Sequence, residues 1–260
     1  MKSVVAVLVL IPALAHADPV RIATAMDDEP PVAPPGMTPV LEVPSEIDQP
    51  VRPLTAIEEQ RGVVASNRHF LTGTALTVPE GRVELTGRSA ILVNGVGIAA
   101  GVTSTTEIWA DAYGAEDDFT IYGAGIKQVL GRGRNWQLAA TASIHGGSDG
   151  GSDERIASVG GLLTACTDNC AIMATAGVLL LMAEDDDAIP VFTGGISIGR
   201  ATTRLVSEVA FANEGGEGGG VGFLGIRFGS RKVNCDLGLA MPLADGDEGA
   251  LPMVAVAGRL

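Results

Sequence analysis

The stretches TTRLVSEVAFA (residues 202–212) and KVNCDLGLAMPL (residues 232–243) alternate large apolar side chains with polar or small ones. In the first stretch Leu205 and Phe211 share one face, and Glu208 lies on the other. A period of two residues is that of a β-strand, because successive side chains point to opposite faces. Both stretches are therefore predicted to be strands with one apolar and one polar face.

The same pattern extends from residue 67 to residue 260, where glycine is frequent and turn residues separate the alternating blocks. Twelve strands are predicted, at residues 68–78, 82–102, 106–114, 119–130, 136–146, 156–166, 170–182, 189–199, 202–212, 221–229, 232–243 and 250–260. The second block is long and contains Asn94-Gly95, so it is expected to bulge or divide. The predicted fold class is all-β, an antiparallel up-and-down β-barrel of about 12 strands.

The connections between these strands fall into two classes. Counted along the chain, the odd-numbered connections hold 16 acidic residues, and the even-numbered ones hold Asp168 and four arginines, Arg132, Arg134, Arg200 and Arg231. Alternate connections of an up-and-down barrel lie at opposite ends, so one end is predicted to be acidic and the other weakly basic. Outer-membrane barrels have unequal ends of this kind.

A soluble β-domain is the alternative, because one face of its strands goes to a core and the other to water, which gives the same alternation. Such a domain would be secreted or periplasmic and would bind cations or a small ligand.

Residues 67–81, NRHFLTGTALTVPEG, carry a family resemblance, together with the corner GVTSTT at residues 101–106. An Asn-x-x-Phe start, a Thr-Ala pair and a short glycine turn into a long strand resemble the opening of poorly characterised outer-membrane β-barrel-like proteins. The resemblance implies an outer-membrane barrel and brings no established activity with it.

The first 17 residues predict a cleavable secretory signal. Lys2 gives a basic start, residues 4–15 are apolar, and Ala15-His16-Ala17 has small residues where cleavage requires them. The chain is therefore expected to be exported to the cell outer membrane, with a periplasmic or secreted location as the alternative.

Residues 18–66 are predicted to be a disordered, proline-rich linker, since residues 18–53 hold nine of the 14 prolines. Thr55 and Glu58 form a capping-box pattern, which predicts a short helix that ends at Gly62. Residues 67–260 are predicted to be the barrel domain.

The formal net charge of −14 argues against nucleic acid as a partner, because phosphate binding needs basic surface. Outer-membrane lipid is the expected partner. The acidic connections invite a Ca²⁺ site, for example at Asp149 and Asp153 or at Asp245 and Asp247, but neither pair brings a full ligand set, so solvated loops are favoured and no cofactor is expected.

No catalytic constellation is found, so the protein is not expected to be an enzyme. Residues 95–100 match G-x-G-x-x-A, but no amphipathic helix follows them, which favours a glycine-rich strand. His145 and Ser143 lie two residues apart on one strand face and do not make a triad alone.

Cys166 and Cys170 flank a three-residue turn between predicted strands and are expected to form a disulfide that pins the hairpin. Cys235 lies on an apolar strand face and is expected to be a small hydrophobic residue.

The polar strand faces supply candidate lumen-lining residues. They are Glu84, Arg88, Lys127, Arg204, Glu208, Arg227, Lys232 and Asp236. These side chains either line a narrow channel or pair with one another and fill a purely structural barrel. The sequence leaves both open.

Overall fold

Twelve antiparallel strands close into one barrel. The computed structural model describes residues 55–63, 68, 72–90, 93–115, 119–149, 152–183, 188–200, 202–214, 217–243 and 249–260. The strands are β1 (Val83–Ala90), β2 (Val93–Gly101), β3 (Thr106–Ala115), β4 (Phe119–Arg132), β5 (Trp136–Asp149), β6 (Ser152–Cys166), β7 (Ile172–Ala183), β8 (Ile189–Arg200), β9 (Thr203–Glu214), β10 (Glu217–Gly229), β11 (Val233–Pro242) and β12 (Leu251–Arg259). The predicted signal, most of the proline-rich linker and the acidic loop tips lie outside the described residues.

Each strand pairs with its neighbours in sequence, and β1 pairs with β12 to close the barrel. The topology is therefore the up-and-down barrel that the sequence predicts. At the closing seam Glu84 is the register partner of Arg259, and Arg88 is that of Ala255. Closure leaves no unpaired strand edge.

One of the strand predictions is wrong, because the described residues of 68–78 form none of the barrel strands. The block at 82–102 divides into β1 and β2, as its length and Asn94-Gly95 led us to expect. The division falls just before the predicted Asn94-Gly95 irregularity, and Ala90 pairs directly with Val93 across it. One strand lost and one gained keep the number at twelve.

The barrel therefore has two unlike ends. The short-turn end carries the connections 102–105, 133–135, 167–171, 201–202 and 230–232. The loop end carries the connections 91–92, 116–118, 150–151, 184–188, 215–216 and 243–250. Because the strand number is unchanged, these connections stay at their predicted ends, and only residues 79–81 move to the short-turn end. There Gly81 has a φ of 69°, which favours glycine, and Glu80 bridges to Gly101.

One short helix, α1 (Ala56–Arg61), precedes the barrel. The hydroxyl of Thr55 accepts from the backbone N–H of Glu58, and the Glu58 carboxylate accepts from the N–H of Thr55, which is the predicted capping box. A helix of six residues is not stable alone, so it depends on its contacts with the barrel.

The two faces of the barrel wall differ in polarity. Large apolar side chains point outward and are exposed, as at Ile144 (68%), Leu130 (64%) and Val96 (60%). Inward positions near the short-turn end are polar and buried, as at Glu84 and Glu107. This arrangement is the reverse of a water-soluble β-domain, which buries its apolar face.

Candidate functional site

Residues 72–78, the inserted segment, lie inside the barrel against its inner wall. Thr74, Ala75, Leu76, Thr77 and Val78 have no exposed surface. The segment forms no strand ladder, because β1 to β12 already pair with one another around the closed barrel. Buried backbone groups need partners, and here the wall side chains supply them.

Five wall side chains bind the backbone of the inserted segment. The bonds are Thr72 N to Glu208 Oε2 (3.1 Å), Ala75 N to Thr164 Oγ1 (2.8 Å), Gln137 Nε2 to Ala75 O (2.6 Å), Lys127 Nζ to Leu76 O (3.0 Å) and Val78 N to Glu107 Oε2 (2.7 Å). These partners belong to β9, β6, β5, β4 and β3, in that order along the segment. The segment thus follows the wall around the lumen.

Helix α1 lies at the short-turn end beside this segment. Its Ile57 packs in a buried cluster with Leu76, Cys170 and Met173. Arg204 on β9 donates to Gln60 Oε1 at 2.9 Å and to the Cys170 carbonyl at 2.6 Å. One wall side chain therefore joins the helix to the β6–β7 turn.

Arg61, the last residue of α1, and Arg259 on β12 tie the helix further to its surroundings. Arg61 donates to the hydroxyl of Thr77 at 2.9 Å and to the carbonyl of Ser104 at 3.0 Å. Arg259 donates to the carbonyls of Arg61 (3.1 Å) and Val63 (3.0 Å). The helix is thus bonded to the inserted segment, to the β2–β3 turn and to the seam strand.

Buried ion pairs hold this half of the lumen together. Arg227 makes a two-bond pair with Asp236, both at 2.7 Å, and Arg259 donates to Glu84 at 2.9 Å. Arg68, which precedes the inserted segment, contacts Glu84 at 3.9 Å. Burial lowers the pKa of Arg68 to about 10, so Arg68 stays charged at neutral pH.

The structure places the predicted lumen residues as follows. Six are buried, namely Glu84, Lys127, Arg204, Glu208, Arg227 and Asp236. Of these, Lys127 and Glu208 bind the inserted segment. Arg88 is half-buried nearer the loop end. Lys232 is exposed, because β11 begins one residue later and Lys232 belongs to the turn. Its prediction as a lumen residue is corrected accordingly.

A second group of inward side chains lies nearer the loop end. Arg88 donates to the Tyr113 hydroxyl at 2.9 Å, and that hydroxyl donates to Asp111 at 3.2 Å. His145 lies 3.8 Å from Asp111 and stacks obliquely on Trp109, with ring centroids 5.6 Å apart. Unlike the buried residues below, His145 retains 30% side-chain exposure although it points inward. The inward side chains are therefore buried near the short-turn end, and His145, nearer the loop end, is more exposed.

Glycines on neighbouring strands make room for these rings. A Cβ at Gly125 would lie 2.4 Å from the Trp109 ring, and one at Gly123 would lie 2.1 Å from the His145 ring. The rings therefore lie close against the wall. Ser143, which the sequence placed near His145, shares a hydrogen bond of 2.7 Å with Ser158.

The β6–β7 turn contains the predicted disulfide, Cys166–Cys170. The N–H of Cys170 also donates to the carbonyl of Thr167 at 2.7 Å, so the turn is closed by the backbone as well. Cys170 has a φ of 47°, which a non-glycine residue seldom adopts. Cys235 is free and half-buried.

Neither a metal site nor a membrane-spanning helix is found in the described part of the chain. Those residues contain no group of three or more His, Cys, Asp or Glu that could hold an ion. They also contain no helix long and apolar enough to cross a bilayer. Asp149 and Asp153 lie in β5 and β6, whereas Asp245 and Asp247 lie outside the described residues. The expectation of solvated acidic loops without a cofactor stays a prediction.

Comparison with known proteins identifies the fold. No protein-family model and no curated protein sequence matches the chain. The structure of the KdgM porin in complex with disordered oligogalacturonate is similar, with a TM-score of 0.56 and 9% identity over 68% of this chain and 98% of that one. The KdgM porin alone gives a TM-score of 0.54 at the same identity and coverage. The chain thus has a porin-like closed β-barrel fold.

Proposed function

We propose that the protein is an outer-membrane β-barrel that works as a narrow channel and is held closed by its own inserted segment. The proposed membrane location rests on the polarity of the barrel wall, which is apolar outside and polar inside. Exposed outward residues such as Ile144 and Leu130 form an apolar exterior, while Glu84 and Glu107 are buried inside. The predicted export signal and the porin-like fold support the same location.

A bilayer admits this architecture for a physical reason. No water is available in the hydrocarbon region, so every backbone N–H and C=O group there must be bonded within the protein. A closed barrel satisfies this requirement because each strand pairs on both sides. In water the same barrel would expose its apolar wall, which disfavours the soluble alternative.

The proposed channel role rests on the buried charged side chains that bind the inserted segment. Lys127 and Glu107 are almost fully buried, and both bind backbone atoms of the segment. A purely structural barrel gains little from such groups, because apolar packing fills a core at lower desolvation cost. With the segment withdrawn, the same groups would line a hydrated, charged path. The role is non-enzymatic, and the solute is left unassigned.

Conductance in planar bilayers tests the channel. The full chain is expected to be mostly closed. A double variant, Lys127→Met with Gln137→Leu, removes two bonds to the inserted segment and is expected to open frequently. Lys232→Met, an exposed turn residue, is the control. A double variant that folds but never conducts would overturn the channel and leave a structural barrel.

The membrane part has a separate test. Recovery in the outer-membrane fraction and heat-dependent mobility on SDS gels are expected. A monomer soluble in buffer without detergent would overturn it. Heat-dependent mobility also shows whether each variant is folded before its conductance is measured.

A further inference from the structure

Exposed basic side chains stand around the short-turn end. They are Arg82, Arg134, Arg200, Arg231 and Lys232. Among the described residues at this end the exposed acids are fewer, namely Glu59, Glu80 and Asp168. The basic residues are spread over the circumference, since they lie at the start of β1 and in or beside the β4–β5, β8–β9 and β10–β11 turns.

Three of these arginines stand just beyond the apolar exterior. Arg200 follows the outward Ile198 by two residues, and Ile198 is 46% exposed. Arg134 precedes Trp136 by two residues, and Arg231 precedes Val233 by two, with both apolar side chains exposed. Two residues of extended chain span at most about 6.6 Å, which is similar to the depth of the lipid headgroup region.

We infer that the short-turn rim, defined by Arg134, Arg200 and Arg231, binds the phosphate groups of anionic phospholipids. The inference rests on the proposed membrane location. A guanidinium group suits a phosphate because it offers several N–H donors in a fixed plane. The positive charge of the rim complements an anionic leaflet, and its arginines are spaced around the barrel where lipid headgroups surround it.

The rest of the molecule makes this surface selective. The connections at the loop end are rich in acids by sequence, so that end repels anionic headgroups. The β6–β7 turn interrupts the rim with Asp168, whose carboxylate accepts a hydrogen bond of 2.7 Å from Asn135. Anionic lipid is therefore expected beside the three arginines and not beside this turn.

Lipid retention by the full chain tests the inference. The protein is purified in detergent, mixed with equal amounts of phosphatidylglycerol and phosphatidylcholine, and examined by native mass spectrometry. The full chain is expected to retain phosphatidylglycerol preferentially. A triple variant, Arg134→Gln, Arg200→Gln and Arg231→Gln, is expected to lower this preference by about fivefold or more. Salt at about 0.5 M is expected to weaken it too, because it screens exposed charges.

Two further variants sharpen the test. Arg155→Gln removes an exposed arginine at the loop end and is expected to leave the preference unchanged. Replacing the same three rim arginines by lysine keeps their charge and is expected to retain most of the preference.

The outcomes separate this inference from the proposed function. If the folded triple variant keeps the full preference, or Arg155→Gln loses as much, the rim does not bind anionic lipid. Membrane insertion without any preference for phosphatidylglycerol overturns the inference alone. Recovery of the chain from buffer without detergent overturns the proposed membrane location.

Discussion

Lys127 and Glu107 are register partners on β4 and β3, and their charged groups lie 3.2 Å apart on the inner wall. Each also binds the inserted segment, Lys127 at the carbonyl of Leu76 and Glu107 at the N–H of Val78. The pair therefore neutralises two buried charges and anchors two backbone groups of the inserted segment, two residues apart, at the same place.

Removing one member of this pair should be costly. Lys127→Met removes the ion pair with Glu107 and the donor to the Leu76 carbonyl. We expect a loss of about 3 kcal/mol in the free energy of unfolding, since the buried Glu107 carboxylate loses its ion-pair partner. Urea unfolding in detergent micelles measures it. Lys232→Met, at an exposed turn position, should change the stability little. Equal effects for the two variants would contradict the prediction.

Arg204 should control the docking of α1. Its guanidinium bonds Gln60, Ser197 and the Cys170 carbonyl. Arg204→Leu removes all three bonds, and a six-residue helix has little stability of its own. We expect faster trypsin cleavage at Arg61, followed on gels and by mass spectrometry. Arg155→Leu is the matched control, and an unchanged cleavage rate in Arg204→Leu would show that other contacts suffice.

The Cys166–Cys170 disulfide should contribute modestly to stability. It closes a short loop, so the entropy argument gives about 2 kcal/mol. Backbone bonds within the same turn also hold it, including Thr167 N to Ile172 O at 3.0 Å. We expect the double variant Cys166→Ser, Cys170→Ser to fold with a small shift in its unfolding midpoint. Failure of this variant to form a heat-resistant barrel would falsify the modest role.

A single methyl group added at Gly125 should displace the Trp109 ring. Gly125→Ala places a Cβ within 2.4 Å of the Trp109 ring, so the ring must move. In a Trp136→Phe background, Trp109 is the remaining tryptophan and its fluorescence reports this movement. Gly87→Ala is the control, because a Cβ there meets nothing within 4 Å. We expect a spectral shift in the first variant and none in the second.

The apolar exterior should reject charge. Ile144 points outward near the middle of β5 and is 68% exposed. Ile144→Arg is expected to lower the folding stability in lipid by about 2–4 kcal/mol. Folding titrations in lipid vesicles measure the loss. An unchanged stability would argue that this face does not contact the hydrocarbon region.

Eleven of the twelve blocks predicted from the alternation of side chains form the barrel strands, and the charges of the connections predicted the two unlike ends of the barrel. The alternation was not sufficient for residues 68–78. The stretch TGTALTVP (72–79) alternates like a strand because it lies extended against a wall, yet Glu107, Lys127 and Gln137 bind its backbone in place of a neighbouring strand. A sequence pattern reports which side chains face the same way, and it does not report what bonds the backbone.

The candidate lumen was predicted in part for a similar reason. Alternation placed Glu84, Lys127 and Asp236 on polar faces, but their partners come from distant parts of the chain. Glu107 and Arg259 were missed because each lies at the end of its strand, where the alternating pattern is short. Thr106, Glu107 and Ile108 do show one apolar and one polar face, which is the signal that could have found Glu107.

The bonds of Arg259 have a consequence for assembly. The residue closes the seam through Glu84 and at the same time holds α1 through the carbonyls of Arg61 and Val63. One side chain therefore contributes both to closing the β1–β12 seam and to holding α1 against the barrel. A barrel that sealed first would have to admit the inserted segment afterwards, past a closed wall. The order favoured by these bonds is the opposite one, in which the strands wrap around the inserted segment and the final strand pairing locks that segment in place.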